Sequence, residues 1–314
     1  MDVSIILVSY NTINMTKEAL AYLYASEGNV KFEVFIIDNA SRDGSAAVLR
    51  EQYPHIHLIE NNQNVGFGRA NNQALPFISG RYVLLLNTDA FVDPSTLRKT
   101  FDYMEAHPAA GILGVKLLGR DKELQPSCRY FPTPWNLFLS QSGLSRFFAK
   151  TKMIDDAFWN PEIEASCDWV PGCYYLVRRE VIDQVGLFDP RYFLYYEEVD
   201  HCFAAKHAGW DVVYFPGTSV IHIGGESAKS DGKLSSGRQL QPLQIESELL
   251  YFRKNHGLAC VLLNVLLTTL ADMIRMTKDV LKLKGPNGYF LHFRHSLLLW
   301  GLFFKTKMGA KPTR

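Results

Sequence analysis

The sequence predicts an α/β fold with a mainly parallel, doubly wound sheet flanked by helices, followed by a helical, amphipathic C-terminal extension. Two observations carry the first part: short apolar runs alternate with helical patterns over the first half of the chain, and several of those runs end in polar residues. Such alternation builds parallel sheets with helices on both faces. A third observation, a basic and apolar tail of different character, carries the extension. The 314 residues suffice for one large α/β domain plus an appendage. A hydrophobic content of 47% with 21% charged residues predicts a packed core.

Val3–Ser9, Phe35–Asp38, Ile56–Glu60 and Tyr82–Asn87 have the composition of strands, and Thr16–Tyr24, Ser45–Gln52 and Arg69–Ile78 that of the intervening helices. The opening "MDVSIILVSYN" has no basic leader or small-residue cleavage site, so a strand is expected there rather than a signal peptide. Further on, Ile112–Leu118 and Tyr174–Val177 predict strands, and Glu180–Val185 and Glu197–His207 predict helices, the latter stopped by Gly209. Val212–Phe215 and Ser219–Ile223 predict two more strands. Gln125–Asp168 shows no clear period and is expected to be loops; Gly224–Arg238, rich in Gly, Ser and Lys, is expected to be a mobile loop.

The five cysteines are scattered and form no CxxC, which favours reduced thiols in a cytoplasmic compartment and argues against structural zinc. From Arg253 onward there are eleven Lys/Arg against two Asp/Glu, a net of +9 in a chain whose total is +1. Leu258–Ala271 is a 14-residue uncharged run, shorter than the roughly 20 residues of a membrane-spanning helix. Arg275, Lys278 and Lys282 then recur at helical spacing, and after Gly285-Pro286 comes the aromatic, basic-edged "YFLHFRHSLLLWGLFFKTK". Two helices lying in the interface of an anionic membrane fit this pattern; a pair packed on the domain is the alternative. Basic residues interleaved with Leu, Phe and Trp speak against nucleic acid.

In an open α/β sheet ligands sit at the carboxyl ends of the strands, which directs attention to Ser9–Asn11, Asp38–Ser41 and Asn87–Asp89. Asp38 either caps the following helix or accepts a hydrogen bond from a pyrimidine imide or a ribose hydroxyl. "NNQNVGFGRANN" opens a helix; Gly66 and Gly68 permit close backbone approach, and Arg69 beside a helix start favours a diphosphate. It is no dinucleotide fingerprint, because Asn71 stands where the third Gly belongs and the run follows the third strand. "FLYYEEVDHC" gathers Glu197, Glu198 and Asp200 beside aromatic rings. Adjacent carboxylates in such surroundings have raised pKa values suited to a general base. His222 ends an apolar run and, with Asp89, could hold a metal through a ring nitrogen.

Taken together, "VSIILVSYN", "IIDNASRDGS", "NVGFGRANN", "LLLNTDA", the long run from Trp169 to Trp210 and "VIHIGG" resemble, in order and spacing, family 2 of the inverting glycosyltransferases, and within it the rhamnosyltransferase branch. The resemblance covers about Val3 to residue 225. It implies a GT-A domain over residues 1–238, with a nucleotide-binding half (1–110) and an acceptor-binding half (111–238), and leaves 239–314 as a membrane-association region.

Carried over by position, the resemblance places Ser9, Tyr10 and Asn11 around the nucleotide and Asp38 on the base. Asn64, Gly66 and Asn71 lie along the nucleoside and diphosphate. Asp89, helped by His222, holds a divalent cation (Mn²⁺ or Mg²⁺), and Trp169, Gly172 and Asp200 shape the sugar pockets. Glu198 occupies the position of the catalytic base, next to Glu197; relatives usually carry Asp there. The usual metal signature is Asp-x-Asp, and Asn87 replaces its first acid, so Asp89 becomes the direct ligand while Asn87 orients ribose or a metal-bound water.

The implied activity is inverting transfer of a sugar, a deoxyhexose such as rhamnose, from a dTDP- or UDP-linked donor to a saccharide or polyprenyl-diphosphate-linked acceptor. The implied place is the cytoplasmic face of the cell membrane. A non-catalytic sugar-nucleotide scaffold on the same fold is the competing reading, opposed by the joint presence of Asp89, Glu198 and His222.

Overall fold

The computed structural model describes residues 1–155, 159–224, 237–282 and 286–314. By internal contact they form two units, one comprising 1–129 with 157–237 and the other 130–156 with 238–314. The sequence assigns 130–156 to the acceptor-binding half; by contact it groups with the C-terminal helices. The expected loop from 224 to 238 lies almost wholly outside the described residues.

The first unit is built on one sheet. Strands β1 (Val3–Ser9), β2 (Phe32–Asp38), β3 (His57–Glu60) and β4 (Tyr82–Leu86) pair in parallel in the order β3-β2-β1-β4. Helices α1 (Ile13–Tyr24), α2 (Ser45–Gln52) and α3 (Phe67–Asn72) connect them. β4 is a fully buried apolar run and β1 is buried except at half-buried Val8, as strands covered on both faces are. Asp43 ties two helix starts together: one carboxylate oxygen accepts from the Ile13 amide at 3.0 Å and the other from the Ser45 amide at 3.1 Å. Both strand ends that matter for ligands are in register, Ser9 opposite Asp38.

Beyond β4 the sheet becomes mixed, a departure from the mainly parallel expectation. β5 (Ala90–Val92) and helix α4 (Thr96–Ala106) follow, and neither was expected; β5 is too short to show a period. Then come β6 (Ala110–Leu118), the two-residue β7 (Leu124–Gln125), α5 (Pro134–Ser142) in the second unit, and the two-residue β8 (Ala165–Ser166). β9 (Tyr174–Arg178), α6 (Arg179–Val185), α7 (Glu197–His207) and β10 (Asp211–His222) complete this unit. β9 inserts antiparallel between β4 and β6, and β10 runs parallel to β6 and antiparallel to β5. The two expected strands around Pro216-Gly217 are one: β10 shifts register between Phe215 and Ser219, so the break in pattern is a bulge.

The second unit is helical. α5 starts with a capping box in which Thr133 and Asn136 exchange side-chain and backbone hydrogen bonds, with Pro134 at its first turn. This helix was missed within the stretch expected to be loops. α8 (Gly237–Leu281) is interrupted at Gly257, whose φ of 80° leaves helical segments 237–256 and 258–281. α9 spans Pro286–Lys305. Phe138, Leu139 and Ala271 form the centre of a small core here.

Candidate active site

Most candidate residues lie at or just beyond the carboxyl ends of β1, β2 and β4, in the loop after β3 and at the start of α7. Ser9 points its hydroxyl into a buried cluster, 3.1 Å from Thr16 Oγ1 and 3.5 Å from Thr12 Oγ1, while Thr12 reaches Thr88 at 3.2 Å. This chain of hydroxyls fastens the end of β1 to the turn after β4. Asn11, at φ 52°, accepts from the Arg42 amide at 2.7 Å and donates its own amide to Ser41 Oγ at 2.9 Å. Its side chain therefore joins two loops, and half-buried Tyr10 lies between it and Ser9.

Asp38 is buried; one oxygen accepts from the Ser41 amide at 3.1 Å, and its Oδ1 has no hydrogen-bond partner among the described residues. A buried carboxylate oxygen without a donor is costly, and a donor on a ligand would complete it. Asn71 is similar: Nδ2 donates to the Phe67 carbonyl at 2.9 Å and the buried Oδ1 is unanswered.

The glycine loop serves the protein first. Asn64 Oδ1 accepts from Asn39 Nδ2 and from the Gly66 amide, both at 2.9 Å, so it organises the loop itself. A Cβ on Gly66, at φ +88°, would stand 2.5 Å from the Phe193 carbonyl oxygen, which accepts from the Phe67 amide at 2.8 Å. The close approach that this glycine permits is thus to the segment preceding α7. Arg69 Nε donates to the Pro190 carbonyl at 2.6 Å, and Asn72 grips the backbone of Phe188. α3 has only six residues, so the long helix expected from Arg69 to Ile78 ends at Asn72.

Asn87 lies in the turn between β4 and β5, its amide donating to the Cys173 carbonyl at 3.1 Å. Asp89 is buried, and the pairing of β5 with β10 sets Ala90 opposite His222. His222 Nε2 then lies 3.7 Å from Asp89 Oδ1. On its other side Nδ1 is 2.9 Å from Gln125 Oε1, while Gln125 Nε2 donates to the His222 carbonyl at 2.8 Å. The second bond fixes the amide's orientation, so Nδ1 carries the proton and Nε2 presents its lone pair to Asp89. Burial lowers the His222 pKa, against the opposing charge of Asp89, and keeps the ring neutral. One carboxylate oxygen and one imidazole nitrogen at this separation suit a single divalent cation with bonds of about 2.0–2.3 Å. No third His, Cys, Asp or Glu joins them among the described residues, so further ligands would come from substrate or water. Gln125 was not anticipated; a lone Gln in an irregular stretch carries no signal by itself.

Glu197 and Glu198 open α7. The two preceding residues, Tyr195 and Tyr196, both adopt left-handed backbone, at φ 71° and 68°. Such conformations cost about 1–3 kcal/mol each for non-glycine residues and concentrate at functional sites. Glu197 is buried and Glu198 only partly so. Burial pushes both carboxyls up; Glu197 rises further because the charge of Glu198 adds to its burial, whereas Arg129 offsets part of the rise at Glu198. The Cys173 thiol is pushed up to about 12, first by burial and then by the charges of Asp89 and Glu198.

The remaining candidates support this arrangement. Trp169 pairs with Arg129 through backbone bonds, and the guanidinium lies 4.7 Å over its ring. Gly172 faces Phe67, whose Cε1 would be 3.9 Å from an added Cβ. Asp200 is buried within α7, and its charge adds to the burial that raises the Tyr192 phenol. Arg129 is the second residue that the sequence did not single out.

Residues 4–158 match the family model "Glycosyl transferase family 2". The chain is 30% identical over 217 residues to the N-acetylglucosaminyl-diphospho-decaprenol L-rhamnosyltransferase of Mycobacterium tuberculosis, covering 63% of this chain and 68% of that one. It is 28% identical to rhamnosyltransferase WbbL of Escherichia coli, covering 70% and 83%. Among solved structures, the Pyrobaculum calidifontis mannosyltransferase, in complex with GDP-mannose and Mn²⁺, superposes with a TM-score of 0.56 at 17% identity, over 97% of this chain and 86% of that one. The mixed sheet, the strand-edge acids and these likenesses agree: the chain belongs to glycosyltransferase family 2 and is a glycosyltransferase of the GT-A fold.

Proposed function

We propose that this glycosyltransferase is an inverting, metal-dependent enzyme. It moves a deoxyhexose such as rhamnose from a dTDP- or UDP-linked donor to a saccharide on a polyprenyl diphosphate, at the cytoplasmic face of the membrane. The observation that carries the reading is the buried Asp89 carboxylate with His222 Nε2 3.7 Å away, a pair that suits one divalent cation. The unanswered Oδ1 of Asp38 supports a pyrimidine donor, since a uracil or thymine imide N–H would supply the missing donor.

In this mechanism Glu198 removes the proton of the acceptor hydroxyl as that oxygen attacks the anomeric carbon from the face opposite the diphosphate. General-base help of this kind contributes about 10²–10⁴ in rate. Glu197 remains protonated beside it and confines the charge to the residue nearer solvent. A divalent cation held by Asp89 and His222 would offset charge building on the leaving diphosphate. Asn87, beside that pair, orients ribose or a cation-bound water.

Purified protein incubated with labelled dTDP-rhamnose or a panel of UDP-sugars, Mn²⁺ and a polyprenyl-diphosphate N-acetylglucosamine acceptor tests this. Transfer with inversion is expected; absence of transfer from every pyrimidine donor overturns it.

A further inference from the structure

The helical segment 258–281 of α8 holds polar groups among the residues of its buried side and leaves a row of apolar residues exposed. Leu262, Leu263, Leu266, Leu270, Met273 and Val280 are all exposed, Leu266 to 58%. Their spacing places them on one stripe about 100° wide. The opposite side, packed inside the second unit, contains Val261, Val265 and Ala271 together with Asn264, Thr268, Asp272 and Asp279. Asn264 donates to Glu248 at 2.7 Å, and Asp272 accepts from Ser296 and lies against His295 Nδ1, each at 2.7 Å. His292 is 3.4 Å from Asp279. On α9, Leu299, Leu302 and Phe303 are buried and the half-buried His292, His295 and Ser296 meet the acids of α8, while Phe290, Phe293, Leu297 and Phe304 are exposed.

A helix of a water-soluble protein ordinarily hides its apolar stripe, whereas here an apolar stripe is left outside while ionisable and amide groups are paired within. Where the solvent is hydrocarbon this arrangement is favourable, because polar groups must find their partners inside the protein. Charge selects the kind of surface. Both acids of the stretch from Arg253 onward, Asp272 and Asp279, are buried in the seam. The Lys and Arg side chains exposed there, such as Arg294 and Lys305 bordering the α9 stripe and Lys307 and Lys311 after it, are cationic. Arg275, Lys278 and Lys282 lie away from the α8 stripe, which suits a helix lying in the plane of a bilayer with one face immersed.

We propose that the exposed stripes of α8 and α9 form a single bilayer-docking face, immersed in the acyl region of an anionic membrane and closed beneath by the polar seam. This rests on reading the C-terminal helices as the membrane-association region and specifies the face that does it.

Flotation of the full chain with vesicles of phosphatidylglycerol and phosphatidylcholine, or of phosphatidylcholine alone, tests the face. Leu266→Gln/Leu270→Gln is expected to lower partitioning at least about tenfold on both vesicle types. Arg294→Gln/Lys305→Gln is expected to lower it roughly fivefold per charge on the anionic vesicles only. Circular dichroism and sugar transfer to a soluble acceptor should match the parent for both. The proposal is overturned if the leucine variant floats like the parent, or if it changes the oligomeric state in light scattering without changing flotation. A parent that floats through the stripe yet transfers no sugar supports the docking face while removing the catalytic reading. A parent that transfers sugar but binds vesicles independently of the stripe does the reverse.

Discussion

Replacing Gln125 by leucine removes both hydrogen bonds that hold His222: the 2.9 Å contact at Nδ1 and the 2.8 Å bond to its backbone carbonyl. Each is worth about 0.5–1.5 kcal/mol net to the fold, so a modest loss of stability without metal is expected. The larger effect falls on the cation. Without an acceptor at Nδ1 the ring is no longer held in the tautomer that presents Nε2 to Asp89, 3.7 Å away. Loss of such an outer hydrogen bond typically costs 10–100-fold in metal affinity, or about 1.4–2.7 kcal/mol. Electron paramagnetic resonance of free Mn²⁺, titrated with protein and UDP, reads this directly. Gln125→Glu keeps an acceptor for Nδ1–H and should recover most of the affinity. The decisive control is the double variant: in a His222→Ala background, Gln125→Leu should cost nothing further. Parent-like Mn²⁺ affinity in Gln125→Leu, or an undiminished effect when His222 is absent, would refute the argument.

Glu198→Gln should lower kcat about 10²–10⁴-fold while leaving donor binding, measured by calorimetry, close to normal. Because burial raises Glu198, and its ionised form is the active one, kcat/KM should fall as pH drops through an apparent pKa above the ordinary glutamate value of 4.5. Arg129→Gln should move that limb to higher pH, and Glu197→Gln should leave it in place, because Glu197 already carries its proton there. Asp38→Asn should weaken UDP binding roughly tenfold or more, as loss of a charged acceptor does, read by thermal shift. Gly66→Ala should destabilise the chain by about 1–3 kcal/mol in urea unfolding, since its Cβ would meet the Phe193 carbonyl at a positive φ.

The parallel half of the fold was legible because β1, β2 and β4 are largely buried and read as near-continuous apolar runs. β1 and the helices α2 and α7 appear with the expected boundaries. β5 and the capped helix α5 were not legible, the one being three residues long and the other set among aromatics and prolines that mask its period. The direction of β9 could not be read either, since strand polarity depends on the chain's path rather than on local composition. At the site, Asp38, Asp89, Glu198 and His222 stood out because polar groups ending apolar runs are conspicuous. Gln125 and Arg129 act through partners distant in sequence, His222 and Trp169, and only the fold brings them there. Ser9 and Asn64 were visible as polar residues, but the hydrogen bonds of Ser9 go to Thr16 on α1 and those of Asn64 to Asn39 in the loop after β2.

The contact between the glycine loop and the chain before α7 bears on how this enzyme could be re-engineered. Phe193 gives its carbonyl to Phe67, Pro190 gives its own to Arg69, and Phe188 is held through its backbone by Asn72. Residues 64–72 and 188–193 are therefore a matched pair of templates, each shaped by the other. A donor-specificity graft from another transferase that replaces only the loop would leave the carrier of Glu198 cut to the wrong mould. A productive chimera has to exchange both segments together.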